Sequence, residues 1–80
     1  MSVKDAVANR VWDLCDKRKI RPNELANISA VTASTVYSLL DIRRRDVSII
    51  TIKKLCDGLG ITLGEFFSTE EFDTLEQEIQ

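Results

Sequence analysis

The chain has 80 residues, which is one domain near the lower limit of what a single hydrophobic core supports. Hydrophobic residues make up 44% and charged residues 30%, the balance of a globular domain and not of a disordered or fibrous chain. Histidine is absent and only two cysteines occur, so a four-ligand zinc site and any nucleophile paired with histidine are excluded by residue count.

Other classes fall away on pattern. No apolar run exceeds four residues, so no membrane span is expected, and Met-Ser-Val-Lys-Asp at the start has no apolar signal region behind it. A cytoplasmic location is the resulting expectation. Carboxylates are scattered, and no glycine-rich phosphate loop is present. The reading is therefore of a non-enzyme, with no cofactor, no metal and no small-molecule ligand expected.

Helical spacing runs through the chain. Val7, Val11, Leu14 and Cys15 share one face of a first helix over about residues 3–18, with Ser2 and Asp5 as a capping pair. Pro22 suits the first turn of a second helix, whose inner side is Leu25 and Ala26 with Ile28 or Ser29. Thr32 is the expected cap of a third helix over about 32–40, stapled by Val31 and Val36 and buried through Val36, Leu39 and Leu40.

Ser48 opens a fourth helix with Val47 and Ile52 as staple, and Ile49, Ile52, Leu55, Cys56 and Leu59 form its expected inner face up to Gly60. Thr62 and Glu65 make a capping box for a short fifth helix, flanked by Ile61 and Phe66. Ser68 to Glu71 repeats the pattern, with Phe67 and Phe72 as staple, and predicts a C-terminal helix carrying Phe72, Leu75 and Ile79. No segment alternates like a strand. The fold class is all-α, with five short helices in a domain over 1–67 and an acidic helical extension over 68–80.

Charge is unevenly placed. Residues 1–64 hold all 11 basic residues against 7 acidic ones, net +4, whereas residues 65–80 hold 6 acidic residues and no basic one. A basic body with an acidic tail is compatible with a polyanionic partner in spite of a sequence pI near 5.0. Arg43, Arg44 and Arg45 form the densest basic cluster, directly after the third helix. Lys53 and Lys54 sit early in the fourth helix, where the dipole disfavours cations; they fit either an acidic partner or a solvated face.

The second and third helices are short and joined by about three residues, Ser29-Ala30-Val31, the pattern of a helix-turn-helix over 22–40. Together with Val11-x-x-Leu14, Glu24-Leu25-Ala26, Val31-Thr32-x-Ser34-Thr35-Val36-Tyr37, Thr51 to Ile61 and Thr62-Leu63-x-Glu65-Phe66-Phe67, it resembles the lambda-repressor and Cro-like (XRE) family over about residues 7–67. The resemblance implies a five-helix fold that binds double-stranded operator DNA and regulates transcription, most simply as a repressor. It places Thr32, Ala33, Ser34, Tyr37 and Ser38 against base edges in the major groove. Arg21, Asn23, Arg43, Arg44 and Arg45 are placed against phosphates.

Several positions depart from the family. Ala30 stands where the turn usually has glycine, Ile42 where glycine usually follows the third helix, and Val47 where proline is common. Arg21 and Pro22 replace the usual cap and a phosphate-touching glutamine. None of the outward residues of the third helix is Arg, Asn or Gln, the side chains that read bases bidentately. Modest discrimination or reliance on DNA shape follows. The same acidity and reader-poor helix leave open an alternative: a protein-interaction module on this fold, such as an antitoxin or an antagonist of another regulator.

Cys15 and Cys56 read as small reduced hydrophobes, against a redox switch. Trp12 falls off the first helix's inner face and is expected under Phe72 and Leu75, or in a dimer contact. A homodimer would suit an inverted-repeat operator. The acidic tail has three readings: docked on the domain, seam of a dimer, or competitor with DNA for the basic face.

Overall fold

The first helix begins where Ser2 and Asp5 exchange hydrogen bonds, the Ser2 Oγ accepting from the Asp5 N–H and the Asp5 carboxylate from the Ser2 N–H, each at 3.1 Å. The computed structural model describes residues 1–79, and among these the chain forms six helices and no strand. They are α1 (Val3–Arg18), α2 (Pro22–Ile28), α3 (Ala33–Leu40), α4 (Ile49–Leu59), α5 (Leu63–Phe67) and α6 (Glu70–Asp73). The all-α architecture read from periodicity is the one observed.

One core holds them together. Val7, Val11, Leu14 and Cys15 of α1 meet Leu25 and Ala26 of α2, Val36, Leu39 and Leu40 of α3, Ile52, Leu55, Cys56 and Leu59 of α4, and Phe66 of α5. Val31 and Val47, the expected staples, pack on its rim. α2 packs on both α3 and α4, so the helix-turn-helix pair is braced from behind, while α1 packs on α3 and α6. Burial pushes both thiols, Cys15 and Cys56, up from their ordinary pKa, so they stay protonated apolar fillers.

Chain reversals follow the anticipated chemistry in most places. Gly60 ends α4 with φ 70°, and Thr62 and Glu65 close their capping box at 3.0 Å in both directions. Arg21 caps α2 through its backbone only, its N–H donating to Glu24 Oε1 at 3.3 Å. Of the two candidates for the inner side of α2, Ser29 is buried and Ile28 exposed.

Three expectations are corrected. Ile49, placed on the inner face of α4, is 54% exposed; it is the first residue after the Ser48 cap, and Ile52 three residues on takes the core position. The second capping device does not form, because the Ser68 hydroxyl donates back to the Glu65 carbonyl at 3.4 Å and Thr69 becomes the boundary residue without a side-chain cap. The C-terminal helix consequently spans only Glu70–Asp73: Phe72 packs on the core, while Leu75 and Ile79 lie beyond it in irregular chain. With acids throughout and no basic residue at i+4, longer helix there has no side-chain support.

Phe72 stacks edge-on against Phe67 at 4.9 Å between centroids and lies 6.1 Å from Phe66. It closes the bottom of the core and does not cover Trp12, which is 49% exposed.

Candidate nucleic-acid interface

The turn into α3 is built from backbone. Val31 N–H donates to the Ala26 carbonyl at 3.1 Å and Ser29 N–H to the Leu25 carbonyl at 3.1 Å, which tie off the end of α2. Ala30 takes the left-handed conformation, φ 56°, at the position where the family usually has glycine. A Cβ there costs on the order of 1 kcal/mol, which the packed neighbours on either side hold in place.

What holds them is a close approach of α4. A Cβ on Gly58 would lie 2.9 Å from the Ile28 carbonyl oxygen, 3.0 Å from Ser29 Cα and directly against Ser29 Oγ. Only glycine lets α4 come this near the turn. The cost is visible in Ser29, whose Oγ is buried with no hydrogen-bond partner.

Past the turn, Thr32 Oγ1 accepts from the Thr35 N–H at 3.2 Å and starts α3. The same hydroxyl lies 2.8 Å from Thr35 Oγ1 and 3.2 Å from Ser34 Oγ. The outer side of the helix start is thus a cluster of three hydroxyls, already partnered with one another. Of the five residues assigned to base edges, Thr32, Ser34 and Tyr37 are exposed and Ser38 is half-exposed, while Ala33 is half-buried and packs against the core. Tyr37 is the largest of them, 49% exposed.

At its far end α3 is held by charge. Lys4, only 5% exposed, reaches across from α1 and donates its Nζ to the carbonyl of Asp41, the residue that caps α3, at 3.0 Å. An ammonium at a helix C-terminus satisfies a terminal carbonyl and opposes the negative end of the dipole. Nothing in the sequence marks Lys4 for this: it lies 37 residues from its partner.

The side chain of Asp41 has its own partner. Arg43 grips the carboxylate in a fork, Nε to Oδ1 at 3.1 Å and Nη2 to Oδ2 at 2.9 Å, and its backbone N–H adds a third bond at 2.9 Å. These bonds hold the Asp41 carboxyl down at about 2. The three arginines are therefore not equivalent. Arg43 is paired, whereas Arg44 and Arg45 have no carboxylate oxygen within 4.0 Å among the described residues, as is the case for Arg21 at the head of α2.

Arg44 and Arg45 line a groove of about 340 Å³ together with Ser34, Thr35 and Ser38 of α3, Asp46 of the same loop and Thr51 of α4. The structure thus brings together Ser34 and Ser38 and two of the three arginines, whereas Thr32, Ala33 and Tyr37 do not line the groove. Thr35 and Thr51 join them without having been marked by sequence, since a threonine inside a helix carries no distinguishing signal. Arg21 and Asn23 are exposed at the start of α2, and Lys53 is paired with Asp57 one turn on.

A short exposed helix behind a tight turn, braced from beneath by a second helix, defines a helix-turn-helix domain of the nucleic-acid-binding class. Comparison with known proteins gives the particular family: residues 10–71 match the Cro/C1-type helix-turn-helix DNA-binding domain, and the chain belongs to that family of DNA-binding transcriptional regulators. Control protein C.MunI from a Mycoplasma species is similar, 46% identical over 37 residues, which cover 46% of this chain and 50% of that protein. The chain thus aligns with about half the length of that relative. The crystal structure of the prophage Lp1 protein 11 has the same fold, with a TM-score of 0.82 at 24% identity over 92% of this chain and 97% of that one. Among the described residues no helix is long and apolar enough to cross a membrane.

Proposed function

We propose that the protein binds double-stranded operator DNA with α3 in the major groove and represses transcription by occupying a promoter. The observation that carries this reading is the shared groove, lined by Ser34 and Ser38 of α3 together with Arg44 and Arg45. A helix in the major groove has phosphates on both flanks, so a cationic loop beside its outward face meets one of them. The similarity to a control protein supports a regulatory role.

Within that arrangement the roles divide. Ser34, Ser38 and Tyr37 offer hydroxyls to base edges, and Ala33 with the Thr32 methyl offers apolar contact to thymine. Arg21 and Asn23 meet one phosphate strand, and Arg44 and Arg45 of the loop after α3 meet the other. Because no bidentate base reader is present, much of the affinity is electrostatic, with specificity drawn from methyl contacts and DNA shape. A homodimer reading an inverted repeat completes the reading. No small-molecule effector, cofactor or catalytic step has a place in it.

The test is a titration against short random-sequence duplex DNA at low and at raised salt. Binding that weakens linearly in log–log with salt is expected, and joint replacement of Arg43, Arg44 and Arg45 by alanine should flatten that slope. Absence of binding at micromolar protein in low salt overturns the reading and favours a protein-interaction role on the same fold. Selection from a random pool, followed by footprinting, tests the operator and promoter occlusion.

A further inference from the structure

The arginine loop has a brake built into it. We propose that Asp41 limits the protein's grip on DNA: it holds Arg43 out of the phosphate contacts and so restrains sequence-independent binding. The proposal rests on the DNA-binding reading above and refines it.

Three observations carry it. The Arg43 guanidinium meets Asp41 through a planar fork of two bonds at 3.1 and 2.9 Å, the geometry in which it would otherwise take a phosphate. The carboxylate is fixed from two sides, by the Arg43 backbone N–H at 2.9 Å and by its position at the end of α3, where Lys4 holds the Asp41 carbonyl. It is also the more enclosed partner, its side chain 24% exposed against 86% for Arg43, so the acid is anchored and the arginine comes to it. Asp41 thus withdraws one cation from the loop.

The consequence is for strength of grip. Phosphate contacts strengthen every DNA sequence alike, so an additional free arginine would multiply specific and non-specific binding by the same factor and leave their ratio unchanged. What would rise is the hold on every sequence and, with it, the salt sensitivity of binding. Asp41 keeps Arg44 and Arg45 as the loop's working contacts.

The experiment compares single and double variants on random-sequence duplex DNA across a salt series. Asp41→Asn keeps the shape and the acceptor for the Arg43 N–H, and the Lys4 bond to the backbone carbonyl is untouched. It is expected to tighten binding at low salt and to steepen the salt slope by about 0.9, one phosphate contact. Arg43→Ala is expected to leave the slope of the native protein unchanged, whereas Arg44→Ala flattens it by about 0.9. In the Asp41→Asn background Arg43→Ala should restore the native slope. Circular dichroism melting of each variant checks that all are folded at the temperature of the titration.

If Arg43→Ala weakens the native protein as much as Arg44→Ala, Arg43 already sits on phosphate and the proposal is overturned. It is equally overturned if Asp41→Asn leaves the slope alone, or if its effect persists in the Arg43→Ala background. If folded proteins, native and variant, all fail to bind duplex at low salt, the DNA-binding reading falls and takes this refinement with it.

Discussion

The two ends of α3 are secured in opposite ways. Its beginning is set by shape: the left-handed Ala30, the buried Ser29 and the bare backbone of Gly58 pressed against them. Its end is set by charge: Lys4 on the Asp41 carbonyl and Arg43 on the Asp41 carboxylate. Packing against backbone has no second arrangement of similar energy, so the turn places the helix once and rigidly. Ion pairs at a surface exchange partners with modest cost and respond to salt. The same short helix is therefore positioned by an inflexible joint and tuned by an adjustable one.

Crowding the joint is the strongest way to test this contrast. Gly58→Val should destabilise the domain at the upper end of the ~1–3 kcal/mol that overpacking costs, read as a lowered urea midpoint. DNA binding should fall further than the fraction unfolded, because the turn that must yield to the added side chain is the one that places α3. Next in size is the charged end. Lys4→Met keeps the apolar stem but leaves the Asp41 carbonyl without its cation, a loss of about 1–2 kcal/mol. It should also weaken duplex binding measured well below the melting temperature, since the end of α3 is then free to fray.

Smaller effects sharpen the comparison from the other direction. Ala30→Gly should stabilise by up to about 1 kcal/mol in thermal melts, since glycine takes φ 56° without strain. The smallest effect concerns pH. Asp41 has its carboxyl lowered in the folded state, so its contribution is complete above the ordinary carboxylate pKa of 3.8 and is lost as pH falls towards about 2. The chain has no histidine to titrate near neutrality. Stability and salt slope should accordingly be flat between about pH 6 and pH 8, and a change there would contradict the Asp41–Arg43 pairing as the loop's controlling charge.

Legibility in the sequence divides along the same line. Ser2 with Asp5, Thr32, Ser48, Gly60 and Thr62 with Glu65 announce their helix ends because each cap is a contract between residues two to four apart. The left-handed Ala30 was legible as a departure from glycine at a fixed place in the turn. Lys4 on Asp41 and Ser29 against Gly58 were not, because contacts across 37 and 29 positions depend on how whole helices cross. Ile49 misled for a local reason: the helical period counts it inward, but residues next to a cap have not yet turned towards the core. Among the site residues, the outward face of α3 was readable from spacing. The inequality of Arg43, Arg44 and Arg45 was not, since three identical letters carry no information about which one finds an acid.

The stacked phenylalanines at the base of the molecule bear on where the domain can be cut. Phe72 leans on Phe66 and Phe67, and Arg10 ties the same corner by donating to the Glu65 and Phe66 carbonyls at 2.9 and 2.8 Å. A fragment stopped at residue 67 would retain the N-terminal caps of α1 to α5 yet leave two aromatic rings bare on one flank. Such a fragment would self-associate through that flank at concentrations where the chain extended past Phe72 stays dispersed.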